Sequence, residues 1–113
     1  MRPIGIFGGA FDPIHYGHLR TGFELWQELR LEELRWVPTG KPGHRDQTIA
    51  DAGLRLAMVR AAVADQPGFV VDDREVRRTG VSYSVDTLLE LRAELPERSL
   101  VLILGMDAFL GLP

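Results

Sequence analysis

The sequence contains no cysteine, which excludes disulfides and thiolate metal sites. It has no apolar run near the roughly 20 residues that a helix needs to cross a bilayer. Its first residues, MRPIGIFGGAF, hold a short apolar patch without a cleavage-site pattern, so no signal peptide is expected. There is no long run of one charge sign, and the formal net charge is −3, which argues against a general nucleic-acid surface. Internal repeats, low-complexity stretches and a Pro/Gly/Ser-rich linker are also missing. What is left is a balanced chain of 113 residues, 45% hydrophobic and 26% charged, which is the composition of one globular domain. The expectation is a cytoplasmic protein with neither membrane nor nucleic-acid partners.

Short apolar runs alternate with longer periodic ones. IGIF (4–7) ends in glycines and predicts a buried strand. From residue 17 the pattern becomes helical, with Leu19, Phe23, Trp26 and Leu29 at steps of three and four. LRWVP (34–38) predicts a second strand stopped by Pro38. TGKPGHRDQT (39–48) is rich in turn residues and predicts a loop throughout. A second helix follows, with Asp51 in its first turn and Leu54, Ala57, Met58, Ala61 and Ala62 on one face. FVVD (69–72) predicts a third strand, and the mixed-charge DREVRRTGVS after Asp72 an exposed segment. A third helix is expected over 84–95, with Val85, Leu88, Leu89 and Leu95 inward, and a fourth strand at SLVLILG (99–105). The apolar residues of that last strand do not alternate, so both of its faces should be covered. Four strands alternating with three helices imply right-handed βαβ units, a parallel sheet, and an α/β/α three-layer architecture of Rossmann-like type.

In such sheets ligands bind beyond the carboxyl ends of the strands. The unusual residues fall there: 8–18 after the first strand, 39–45 after the second, 105–107 after the fourth, with all three histidines among them. Gly8 and Gly9 suit a tight turn or a close approach of backbone to ligand, and free N–H groups before a helix make an anion site. The segment is neither the dinucleotide fingerprint nor the Walker loop, whose glycine spacing and Gly-Lys-Ser/Thr it lacks. His15 and His18, three apart at a helix start, share a face. Three readings stand for them: His15 caps the helix and His18 is a surface residue; the pair donates hydrogen bonds to phosphate oxygens; or they join His44 in a zinc site. The spacing is not that of H-E-x-x-H, and no carboxylate base lies between them. Trp26 and Trp36 read as packing residues rather than stacking platforms.

GGAFDPIHYGH (8–18) resembles the signature of the H-x-G-H nucleotidyltransferases, here His15-Tyr16-Gly17-His18. Three further stretches resemble the nicotinate-nucleotide adenylyltransferases within that superfamily: VPTGKPGHR (37–45), SYSVDTL (82–88) and LGMDAFLGLP (104–113). The resemblance runs the length of the chain, in order. It implies transfer of the adenylyl group of ATP to nicotinate mononucleotide, with pyrophosphate released and no covalent enzyme intermediate. It also implies roles. His15 and His18 would contact ATP phosphates, with Lys41, His44 and Arg45 facing the phosphates from the second loop. Gly8, Gly9, Ala10 and Phe11 would supply backbone near the nucleotides, while Gly105 and Asp107 would hold the adenosine side. Tyr83, Ser84 and Thr87 would lie near the nicotinate moiety, and Asp12 would be either a substrate neighbour or a turn residue. Mg2+ would arrive with ATP, without a dedicated protein cage.

The resemblance departs at two points. Gly43 stands where the family usually has a second proline before His44. The family also continues past the position of Pro113 with a further strand and a Ser-Thr-x-x-Arg motif, for which this sequence has no equivalent. The expectation is a single domain over 1–113 truncated at its C-terminus, lacking the family's last strand and helices. An uncovered sheet edge, an apolar patch at Phe109, Leu110 and Leu112, and self-association into a homo-oligomer would follow. Alternatives are another H-x-G-H enzyme, such as a phosphopantetheine adenylyltransferase or a cytidylyltransferase, and a non-catalytic nucleotide-binding module.

Overall fold

The computed structural model describes residues 1–42, 51–78, 81–82 and 84–104; for Lys41, Pro42, Val81, Ser82 and Ser84 the description is of the backbone. The chain runs β1 (Ile4–Gly9), α1 (Tyr16–Glu28), β2 (Glu33–Pro38), β3 (Lys41–Pro42), α2 (Ala52–Val63), β4 (Phe69–Val71), α3 (Arg74–Arg77), β5 (Val81–Ser82), α4 (Ser84–Glu94) and β6 (Leu100–Leu104). The four longer strands form one parallel sheet in the order β4-β2-β1-β6. β1 is central because its residues are apolar on both sides: Ile6 belongs to one core and Phe7 to the other.

The two cores place the helices. Phe7, Phe11, Leu34 and Trp36 pack with Leu19 and Trp26 of α1 and with Val59 and Val63 of α2 on one face. Ile6 and Val37 pack with Leu88 and Leu91 of α4 on the other. β6 gives Val101 and Ile103 to the first face and Leu100 and Leu102 to the second, so its unbroken apolar run is covered on both sides as expected. The three-layer α/β/α reading therefore holds. Trp36 is fully buried, and its ring stacks on Phe7 at 4.8 Å. Among the described residues β6 has one sheet neighbour, β1. Phe109, Leu110 and Leu112 lie outside the described residues. No helix among the described residues is long and apolar enough to cross a membrane.

Several local expectations are overturned. The predicted loop after β2 contains β3, which pairs in parallel with β5 through Lys41–Val81 and Pro42–Ser82. The segment after Asp72, expected to be exposed, forms α3 and buries Glu75, and Asp72, the expected end of the third strand, lies just past β4 and is also buried. α2 is turned to another face: Leu54, Ala57, Met58, Ala61 and Ala62 are exposed, while Arg55, Val59 and Val63 are buried. Apolar residues surround this helix, so hydropathy selects no single face, and the i, i+4 series with Arg55 wins because that arginine has partners in the core. In α4, Val85 and Leu89 are exposed and Thr87 and Leu91 are buried for a similar reason. In the first helix Leu29 is the C-cap and, like Phe23, exposed. The glycines at 8 and 9 do not make the turn: both lie in β1, and the left-handed residue is Phe11, with φ of 49°.

Candidate functional site

From β1 the chain moves through β2 to β4 on one side and returns to β6 on the other. The crevice outside the carboxyl ends of β1 and β6 is therefore the switch point where α/β sheets bind ligands. Residues 10–18 leave β1 at that point. Phe11 turns the chain in its left-handed conformation, which is uncommon for a bulky residue and is held here by its ring. That ring is 3% exposed and meets Phe7 edge-on at 5.5 Å and His18 edge-on at 5.1 Å. Packing in the sheet core thus reaches His18 through Phe11 and, at 6.5 Å, through Phe7 itself.

His15 and His18 close the start of α1 reciprocally. Nδ1 of His15 accepts from the Gly17 amide at 3.1 Å, and Nδ1 of His18 accepts from the His15 amide at 3.1 Å. This is the capping-box arrangement with imidazoles in place of Ser and Glu. With Nδ1 accepting, the neutral ring carries its proton on Nε2, so both rings offer an N–H on the edge away from the backbone. The rings stack with centroids 3.8 Å apart. Gly17 makes this possible, because a Cβ there would lie 2.9 Å from the His15 ring. Burial, and then the charge of His15, hold the His18 imidazole below its ordinary range. Without ligand His18 is thus a neutral donor, and an anion lying across both rings would favour the charged form.

The second loop is fixed against the first. The β1–β2 ladder is extended by the Thr39 amide donating to the Gly9 carbonyl at 3.0 Å. Immediately beyond, Arg55 of α2 donates from Nη1 to the Ala10 carbonyl at 2.8 Å and from Nη2 to the Gly40 carbonyl at 3.2 Å. Gly40 is seated against α3, where a Cβ would overlap the carbonyl oxygen of Glu75. Arg55 is 1% exposed. Burial pulls its guanidinium below the ordinary arginine range, opposed by the negative charges of Asp12 and Asp51. Asp12 is half-buried beside that charge, and Asp51 also caps α2 by accepting from the Leu54 amide at 2.8 Å.

On the other face, Thr87 is buried and its hydroxyl donates to Glu75 at 2.5 Å, while Arg78 donates to the same hydroxyl at 3.4 Å. Burial raises the Glu75 carboxyl, opposed by Thr87 and Arg78 and aided by Asp72 and Glu90. A narrow cleft between the end of β1 and α4 is lined by Gly8, Val37, Glu75, Thr87 and Leu104.

Two of the three expected segments are therefore brought together, 8–18 and 39–41, and the third strand end, Leu104, lies beside Gly8. Lys41 and Ser84 are placed by their backbones in β3 and at the start of α4. His44, Arg45, Tyr83, Gly105 and Asp107 lie outside the described residues, and with His44 so does the three-histidine zinc reading. Among the described residues no group of three or more His, Asp and Glu is placed to hold a metal. Sequence reasoning missed Arg55 and Glu75. The one signal for Arg55 was a charge inside an apolar helical window, four and eight residues before Val59 and Val63; Glu75, in a mixed-charge stretch, carried none.

The chain matches the Cytidylyltransferase-like family over residues 6–112. A probable nicotinate-nucleotide adenylyltransferase of Halorhodospira halophila is 55% identical over 113 residues, covering 100% of this chain and 52% of that protein. A probable nicotinate-nucleotide adenylyltransferase of Aeromonas hydrophila is 52% identical over 111 residues, covering 98% of this chain and 52% of that protein. The chain thus spans about half the length of the curated relatives it matches. Among solved structures, the Plasmodium falciparum nicotinic acid mononucleotide adenylyltransferase complexed with NaAD matches with a TM-score of 0.77 at 19% identity, over 90% of this chain and 51% of that one. The same enzyme complexed with APC matches with a TM-score of 0.73, at 18% identity, over 90% of this chain and 50% of that one. At such identities the likeness is one of fold.

Proposed function

The chain belongs to the cytidylyltransferase-like family, and on that premise we propose that it forms the nucleotide-binding part of a nicotinate-nucleotide adenylyltransferase. In the reaction a phosphate oxygen of nicotinate mononucleotide attacks the α-phosphorus of ATP in line. The new P–O bond forms as the bond to the bridging oxygen of the β-phosphate breaks, and pyrophosphate leaves. The product is nicotinate adenine dinucleotide, an intermediate of NAD biosynthesis, made in the cytoplasm. Such a transfer calls for positioning and charge stabilisation more than for a nucleophilic side chain.

The observation that carries the reading is the reciprocal cap of His15 and His18, which leaves two Nε2–H donors together at the switch point. In this reading they donate to the ATP phosphates, and His18 follows the charge that develops on them. Backbone of residues 8–11 borders the nucleotide, and Lys41, His44 and Arg45 face the phosphates from the second loop. Gly105 and Asp107 hold the adenosine. Asp12, Tyr83, Ser84 and Thr87 belong to the nicotinate side, Asp12 acting through Arg55 and Thr87 through α4 rather than by its engaged hydroxyl. Mg2+ comes as part of the ATP substrate. The names of relatives at 50–55% identity support the choice of substrate.

The test is pyrophosphate release by the protein expressed to its natural stop codon, with ATP and either nicotinate mononucleotide, nicotinamide mononucleotide or phosphopantetheine. Nicotinate mononucleotide should be the preferred acceptor, and His18→Ala should lower kcat by about 100- to 1,000-fold, the loss typical of one transition-state donor. Preference for phosphopantetheine, or full activity in His18→Ala, would overturn the reading.

A further inference from the structure

We propose that Arg55 is a positioning residue, whose buried guanidinium sets the separation of the two loops that form the phosphate site by holding the Ala10 and Gly40 carbonyls in one fork. Its catalytic consequence rests on the function proposed above; the clamp itself does not.

The clamp begins where the sheet stops. Thr39 and Gly9 share a cross-strand hydrogen bond, and β1 and β2 then part. The next carbonyls, of Ala10 and Gly40, lie beyond the β1–β2 ladder, and both accept from one side chain of a helix 45 and 15 residues further along. A guanidinium is planar with five fixed donors, so it can span two acceptors at a set distance. An ammonium is a point charge that would not hold both loops in one geometry. The first loop leads onward through Phe11, adjacent to Ala10, whose ring packs on His18. The second passes so close to α3 at Gly40 that a Cβ there would overlap the Glu75 carbonyl. Arg55 therefore lies between the histidine pair and the start of the Lys41 segment.

A buried charge is weak evidence for a purely stabilising role. Burying a guanidinium is costly, and apolar replacements of buried ionic groups are often neutral or stabilising. The side chain is 1% exposed, with burial opposing its charge and Asp12 and Asp51 supporting it. What the arrangement provides is distance control, and in phosphoryl transfer a misplacement of about 1 Å can cost on the order of 100-fold in rate.

The test uses the protein expressed to its natural stop codon, with Arg55→Lys and Arg55→Ala. Hydrogen exchange is read first, because it does not depend on the reaction. In Arg55→Lys the peptides covering 8–14 and 38–42 should lose protection together, while those of α1 and of residues 56–63 keep theirs. Steady-state kinetics with ATP and nicotinate mononucleotide should then show kcat lowered by about 10- to 100-fold with the KM for ATP within about threefold. Millimolar guanidinium should restore activity to Arg55→Ala by filling the vacated site, and if that variant does not fold, the lysine variant carries the test. Protection unchanged in either loop overturns the proposal. So does a kcat loss that tracks a uniform loss of protection across the chain, since that describes an ordinary core residue. If the unaltered protein transfers no adenylyl group to nicotinate mononucleotide, the proposed function fails, and the exchange data still decide whether the clamp exists.

Discussion

On the face of the sheet that carries α1 and α2, Phe7, Phe11, Trp36 and Phe69 meet ring to ring, with Trp36 fully buried at their centre. On the face that carries α4, the apolar core among the described residues is Ile6, Val37 and Leu91 with their partly buried neighbours. Beyond it runs a chain of charges: Arg35 to Glu33 and Asp72, Arg74 to Asp72, Glu90 and Glu94, and Arg78 to Glu90. Each face supports a different part of the candidate site. The aromatic face reaches His18 through Phe11. The charged face seats α3, whose Glu75 carbonyl leaves room for no side chain at Gly40. One wall is thus held by dispersion and apolar burial, which pH and salt leave almost unchanged, and the other by groups that titrate.

The largest effect should come from breaking the aromatic face. Trp36→Ala removes the ring on which Phe7, Phe11 and Phe69 converge and should cost about 3–5 kcal/mol, the range for truncating a buried tryptophan. Chemical denaturation should show this as a lower midpoint, nearly constant in pH and salt. A loss below 1 kcal/mol would mean that the face tolerates repacking and is not what holds Phe11.

The difference between the faces also governs what could be read from the sequence. The four main strands were legible because each is a short apolar run closed by Gly, Pro or a charge, and no tertiary contact is needed to see it. The histidine pair was legible because its spacing and its glycine are local. The faces of α2 and α4 were not. Arg55 and Thr87 turn inward because their partners, the Ala10 and Gly40 carbonyls for one and Glu75 for the other, come from distant parts of the chain. Hydropathy penalises exactly such residues, so it assigned Leu54 and Leu89 to the core and left Arg55 outside. Phe11 was similarly hidden: two adjacent glycines drew the turn to themselves, while the left-handed residue was the aromatic whose ring had somewhere to go.

A smaller effect separates two neighbouring carboxylates of the charged face. Burial alone would raise Asp72, but the hydrogen bonds and charge of Arg74, with Arg35, bring it below its ordinary value. Its contribution to stability is therefore present above the unfolded value of 3.8 and lost as pH falls through the lower folded one. Glu75 is shifted the other way, so its contribution is present below the unfolded value of 4.5 and lost as pH rises through the higher folded one. Asp72→Asn should cost about 1–3 kcal/mol at neutral pH, as expected for hydrogen bonds to a charged group, and should flatten the acid limb of the stability curve. Glu75→Gln should cost less, and should weaken the decline in stability above the carboxylate range. Equal losses in both variants, with unchanged pH profiles, would show that the ion chain is only a solvated surface.

The smallest effect tests the site itself. His18 is shifted below the ordinary histidine value of 6.5 by burial and by His15, so the unfolded chain takes up its proton first as pH falls. His18 therefore adds stability above that value and loses it as pH drops through the lower folded one, giving a modest fall in melting temperature as pH falls below the ordinary histidine value. His18→Gln keeps an acceptor for the His15 amide, as glutamine does in an ordinary capping box, and should remove that part of the slope without changing the neutral-pH midpoint by much. A polyphosphate bound across the two rings favours the imidazolium, so saturating tripolyphosphate should shrink the slope in the unaltered protein and leave the variant's profile unaltered in shape. Tripolyphosphate that leaves both profiles untouched would separate the histidine pair from any phosphate site and return it to the role of a helix cap.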